Sequence, residues 1–139
     1  MMDTERARLW MSYYNEGINE RADELNRLDA ALGDGDFGAS MQRGTLAVAA
    51  ALDTSDAALP GELFKLVGMT LVSAMGGTSG PLVGTLFIRM GIALGDAESA
   101  DVAALAAALR AGADGVMALG EAAPGDKTMI DGLVPAIEA

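Results

Sequence analysis

Residues 60–94 read PGELFKLVGMTLVSAMGGTSGPLVGTLFIRMGIAL, and the periodicity of this stretch decides the fold class. Leu63, Phe64, Val67 and Leu71 recur at the spacing of one helical face, and Leu82, Val83, Leu86, Phe87 and Met90 repeat the pattern after a glycine-rich turn. No part of it alternates with the period of two that a half-buried strand needs. Two apolar helices joined by so short a turn pack as antiparallel neighbours.

The pattern extends outward in both directions. Upstream, Trp10, Tyr14, Ile18, Leu25, Leu28 and Leu32 fall on one face of a first helix, and a second is predicted from about Ala39 to Leu52, before the polar connection DTSDAALPG. Downstream, Ser99 is the expected N-cap of a fifth helix with the stripe Val102, Leu105, Leu109 and Val116. A sixth starts near Lys127 and holds Met129, Leu133, Val134 and Ile137, with Pro135 expected to kink it. The expectation is an all-α fold: an antiparallel up-and-down helical bundle or barrel, one domain over 1–139, about six helices, no linker and no repeat.

Composition supports this and narrows the function. Hydrophobic residues make up 51% but aromatic residues only 4%, so the alanine stripes and nine methionines read as an aliphatic core. Gly112 and Gly115 are expected to permit close helix approach, Tyr14 to pack and Tyr13 to be exposed. Nine Lys and Arg against twenty Asp and Glu give a net charge of −11, which leaves no cationic surplus for nucleic acid or for an anionic membrane surface. With no cysteine and no histidine, thiolate chemistry, a Ser-His-Asp arrangement, histidine zinc sites and a phosphohistidine relay within the chain are all excluded. The N-terminus shows no signal-peptide core, and the apolar stretches Leu46 to Leu52 and Val102 to Leu109 are far short of a membrane span. A cytoplasmic protein is the simplest expectation.

An up-and-down order places the first, third and fifth connections at one end of the bundle. These are the three that carry chemistry: Gly33-Asp34-Gly35-Asp36-Phe37-Gly38, Met75-Gly76-Gly77-Thr78-Ser79-Gly80 and Pro124-Gly125-Asp126-Lys127-Thr128. Each feeds a helix N-terminus, where free N–H groups and the helix dipole favour an anion. In the first, Asp29, Asp34 and Asp36 stand with no cation between Arg27 and Arg43. Such carboxylates repel unless hydrated, protonated or bridged by a cation, and Mg²⁺ suits both oxygen ligands and phosphate. Alone, the GDGD sequence is equally a solvated turn with a helix cap. It is not an EF-hand, since Thr45 occupies loop position 12. In the second loop, Gly76 and Gly77 N–H groups and the Thr78 and Ser79 hydroxyls suit phosphate oxygens, without the lysine of a Walker A motif. In the third, Lys127 can meet phosphate, although a lysine beside Asp126 and Asp131 is also an ordinary surface residue. Together the three loops point to a Mg²⁺-nucleotide or another phosphorylated ligand.

Three segments, LDAALGDGDFG, GMTLVSAMGGTSGPLVGTLFIR and GADGVMALGEAAPGDKTMIDGLVPA, resemble in order and spacing the nucleotide-binding L subunits of bacterial dihydroxyacetone kinases. The resemblance runs from about Leu25 to Pro135. It implies a helical barrel that binds ADP or ATP with two Mg²⁺ ions, with Asp29, Asp34 and Asp36 as the metal-binding aspartates. It also implies a nucleotide site formed by Phe37, Gly38, Ser40, Gly76, Gly77, Thr78, Ser79, Gly80, Gly125, Lys127, Thr128 and Met129. Two positions depart from the family pattern: Phe37 stands where His is usual and Ser40 where Asn is common. Members usually continue with two more helices and a basic segment, so the chain is expected to lack the family's C-terminal part.

The implied activity, in glycerone metabolism, is Mg²⁺-dependent phosphoryl transfer to dihydroxyacetone held on a separate K-type subunit. One branch of the family draws its phosphate from a phosphohistidine protein of the phosphotransferase system, the other from exchangeable ATP. Alternatives are a related kinase for a larger ketose or a fatty acyl acceptor, a non-catalytic nucleotide-binding regulatory module, and a purely structural bundle. A homodimer is left open.

Overall fold

The computed structural model describes residues 1–139. Seven helices follow in order: α1 (Thr4–Glu20), α2 (Ala22–Ala30), α3 (Phe37–Thr54), α4 (Pro60–Met75), α5 (Ser79–Leu94), α6 (Val102–Gly120) and α7 (Ile130–Glu138). The all-α reading holds, with one addition. Two-residue strands β1 (Met2–Asp3) and β2 (Ser99–Ala100) pair antiparallel, Met2 opposite Ala100, just ahead of α1 and α6 in the chain.

Helix boundaries follow local chemistry. The single first helix expected from the leucine spacing is two, because the chain breaks at Arg21 (φ −111°, ψ 11°). Beyond the break, α2 meets α3 through small and polar groups. Ala22 is buried against Gly38, and the Asn26 side chain accepts the Ala39 N–H at 3.0 Å. That contact turns the leucines away from the core: Leu28 is 64% and Leu32 98% exposed. Ser99 does not cap α6. It lies in β2, and Asp101 caps instead by accepting the Ala104 N–H at 2.8 Å. Val102 consequently precedes the buried stripe and is exposed, and α7 begins after Lys127 and Met129.

The main core gathers Phe64, Leu63, Val67 and Leu71 of α4 with Phe87 and Met90 of α5, Met11 of α1 and Met41 of α3. Trp10 meets Phe64 edge-on at 5.5 Å and Tyr14 meets Phe87 at 5.7 Å. As expected, Tyr14 packs and Tyr13 is exposed. A smaller cluster joins Ala113 and Val116 of α6 to Ile130 and Val134 of α7, with Leu82 and Leu86 of α5 against it. Helices α4 and α5 approach backbone to backbone. A Cβ placed on Gly68 would lie 2.5 Å from the Gly84 carbonyl, and one on Gly91 2.5 Å from that of Gly61. Gly112 and Gly115 of α6 serve the same purpose against Leu86 and Arg89. By length and composition α6 is apolar enough to cross a membrane, a longer apolar reach than the Val102–Leu109 stretch suggested. In the fold it packs between α5 and α7, with Ala108 in the main core.

Long-range contacts define the two ends. At one, Thr4 donates to the Ala58 carbonyl, Arg8 to the Leu52 and Ser55 carbonyls, and Gly61 abuts Gly95. At the other, Gly44 near the start of α3 lies against Leu71 and Met75 at the end of α4, and Gly120 at the end of α6 lies against Leu82 at the start of α5.

Candidate functional site

The second of these ends carries all three glycine-rich loops, and each is shaped by its own hydrogen bonds. In the first, the Asp29 carboxylate accepts the N–H groups of Asp36 and Phe37 at 3.0 and 3.1 Å through Oδ2. It therefore caps α3 from the end of α2. Its Oδ1 faces Gly33, where a Cβ would come within 2.7 Å and press on the carboxylate. Asp34 and Asp36 are exposed on the same turn. Asp29 at the end of α2 and Asp34 and Asp36 in the turn that follows are not gathered into a cluster that could grip an ion as they stand. The donor set still fits a hard divalent cation. It is all carboxylate oxygen, Oδ1 of Asp29 is not occupied by the capping role, and the neighbouring acids are solvent-facing.

The second loop turns through Gly76 (φ 67°) and Gly77 (φ 58°), left-handed conformations that residues with a Cβ adopt at a cost. The turn leaves the Gly77 and Thr78 N–H groups without a protein acceptor. Thr78 precedes α5 and makes no side-chain cap. Gly80 is buried against Met75 and fixes the turn to the end of α4. Exposed amides and hydroxyls at a helix start are what an anion needs.

The third loop is organised by Asp131 of α7, which in sequence is only an acidic neighbour of Lys127. Its carboxylate accepts the Gly125 N–H at 2.6 Å and the Thr128 N–H at 2.9 Å, and these bonds hold its carboxyl below the ordinary value. The Thr128 hydroxyl accepts the Ile130 N–H at 3.3 Å. The ring of bonds puts Lys127 at φ 61°, exposed and without an ion-pair partner. Met129 stands at the N-cap of α7, 42% exposed.

Other expected site residues lie deeper. Gly38 is buried where a Cβ would strike the Ala22 carbonyl, and Ser40 is 7% exposed. The Ser40 hydroxyl accepts from Arg43 at 3.2 Å, and the same Nη2 donates to the Met75 carbonyl at 3.4 Å. Phe37 is half-buried and packs against the main core. Arg43 was legible only as the nearest cation downstream of the aspartates. Its reach to Met75 depends on α3 and α4 being neighbours.

Comparison with known proteins places the chain in a family and a fold. The model of the DAK2 domain matches residues 31–139. A relative from Listeria innocua, the ADP-binding subunit DhaL of a PEP-dependent dihydroxyacetone kinase, is 39% identical over 99% of this chain and 69% of its own length. A D-erythrulose kinase of Mycolicibacterium smegmatis is 41% identical over 88% of the chain, which spans 22% of that longer protein. The dihydroxyacetone kinase of C. freundii superimposes in its native form with a TM-score of 0.83 at 30% identity, over 99% of this chain and 26% of its own. Its complex with AMP-PNP and Mg²⁺ gives 0.77 at 34% identity, over 89% and 22%. The chain belongs to the DAK2 domain family, and shares its helical fold with dihydroxyacetone kinase.

Proposed function

We propose that residues 1–139 form one nucleotide-binding domain that holds ADP or ATP with Mg²⁺ across the three loops and serves as the phosphoryl-transfer part of a ketose kinase. The acceptor in this reading is dihydroxyacetone bound on a separate K-type subunit or domain. The observation that carries it is the convergence of the aspartate turn, the GGTSG turn and the Lys127 turn on one end of the bundle. The C. freundii kinase with AMP-PNP and Mg²⁺ supports the ligand class.

Asp29, Asp34 and Asp36 would hold the metal, which when bound neutralises phosphate charge and the charge that develops during transfer. The chain's own groups do the rest. The Gly77 and Thr78 N–H groups and the Thr78 and Ser79 hydroxyls orient the phosphate chain, Lys127 adds a cation beside it, and Thr128 and Met129 border the nucleotide. With no histidine in the chain, capture of the ketose and removal of the hydroxyl proton fall to the partner. The name of the Listeria innocua relative supports phosphoenolpyruvate as the ultimate donor; relay onto bound ADP by a phosphohistidine protein of the phosphotransferase system and use of exchangeable ATP are the two routes the reading allows.

Calorimetric titration of ADP tests the reading. Binding with Mg²⁺ that disappears in EDTA is expected, and a chain that is helical by circular dichroism yet binds no ADP under either condition would overturn it. The D-erythrulose kinase relative favours a second reading of the acceptor alone, a four-carbon ketose. Assay with K-type partners of each specificity separates the two.

A further inference from the structure

Arg43 is outside every loop motif, yet a single nitrogen of its guanidinium joins the helix that follows the first to the residue that begins the second. Nη2 donates to Ser40 Oγ, one turn into the helix that the aspartate loop opens, and to the carbonyl of Met75, the residue immediately before Gly76. The end of α4 needs such a donor. Its last carbonyls have no partner within the helix, Gly76 at its C-cap turns away at φ 67° and ψ −170°, and α4 has no basic residue in its last turn. Gly44 lets α3 come close enough for the contact, since a Cβ there would lie 2.7 and 2.8 Å from the Met75 and Leu71 side chains. Nε and Nη1 of Arg43 donate to no protein acceptor.

We propose that Arg43 is a positioning residue that tethers the GGTSG turn to the aspartate-bearing helix and so sets the separation of the two loops that would share one nucleotide. The inference deepens the nucleotide-binding reading and rests on it for its functional part. Two flexible glycines follow Met75, so without the tether the phosphate-facing N–H groups of Gly77 and Thr78 lose their fixed relation to Asp34 and Asp36. Nη2 carries two N–H groups, one for each acceptor; a lysine ammonium sits one bond nearer the backbone and keeps the charge without that reach.

The test compares wild type, Arg43→Gln and Arg43→Lys by hydrogen exchange and by Mg²⁺-ADP titration. Both variants should show faster exchange at Gly80 and Leu82, whose N–H groups bond back to the Gly76 and Thr78 carbonyls at 3.2 and 3.3 Å, with unchanged thermal midpoints, and affinity lower by roughly ten- to a hundredfold, the usual effect of losing a group that orients ligand-binding residues. Unchanged exchange at Gly80 and Leu82 would overturn the tether. Full affinity in Arg43→Lys would overturn it as well, because charge alone would then suffice. Exchange is read on the free chain, so a wild type that binds no nucleotide would defeat the proposed function while the exchange data still decide the tether.

Discussion

The aspartates of the first loop look alike in sequence and differ in place. Asp29 is committed through Oδ2 to two backbone N–H groups, whereas Asp34 and Asp36 face solvent. Their substitutions should therefore separate. Asp29→Ala removes the cap of α3 and should lower stability by about 1 kcal/mol, seen as a reduced denaturation midpoint. Asp34→Asn should leave that midpoint in place and abolish Mg²⁺-dependent ADP binding; retained binding would remove Asp34 from the site. Asp131 offers a pH test. Hydrogen bonds from Gly125 and then Thr128 hold its carboxyl below the ordinary value, so the order it lends the third loop is complete above the unfolded-state pKa. That order is lost as pH falls through the lowered folded-state value. The Gly125 amide resonance should titrate with a midpoint below that of an ordinary aspartate, and Asp131→Asn should flatten it. A midpoint at or above the ordinary value would mean the contact is not made in solution.

Among the elements, the α4–α5 pair is the most demanding, because its helices meet through glycine rather than through interdigitating side chains. Gly68→Ala would drive a methyl against the Gly84 carbonyl and the Ile88 side chain, an overpacking that should cost about 1–3 kcal/mol. Gly17→Ala, on α1 with nothing within 4 Å of its Cβ, should be neutral or stabilising, and equal midpoints for the two would refute the close approach. The helices themselves were legible because Leu63, Phe64, Val67 and Leu71 repeat on one face and all prove buried. The same rule failed at Leu28 and Leu32, where a break at Arg21 rotates α2 and a polar contact through Asn26 replaces the leucine stripe. The strand pair was invisible because two residues are too few for any period. The three loops could be placed at one end by counting helices, but Arg43 and Asp131 act across neighbours or turns that only the fold brings together.

Taken whole, the molecule has two unequal cores. Phe64 lies in the larger with residues from α1, α3 and α5, while Ile130 lies in the smaller, where α7 meets α6 and the edge of α5. The cores overlap only through α5 and α6, so the smaller can open without the larger. Phe64→Ala should lower global stability by about 3–5 kcal/mol and speed exchange in every helix together. Ile130→Ala deletes as fully buried a side chain, yet its effect should stop at the free energy of releasing α7. Exchange should rise in α7 and in the Gly125–Thr128 turn and remain slow in α4. Nucleotide affinity should fall with it, because the turn that presents Lys127 and Thr128 leads directly into the released element. If Ile130→Ala instead accelerates exchange in α4 as much as in α7, the bundle unfolds as one unit, and the third loop cannot open independently of the other two.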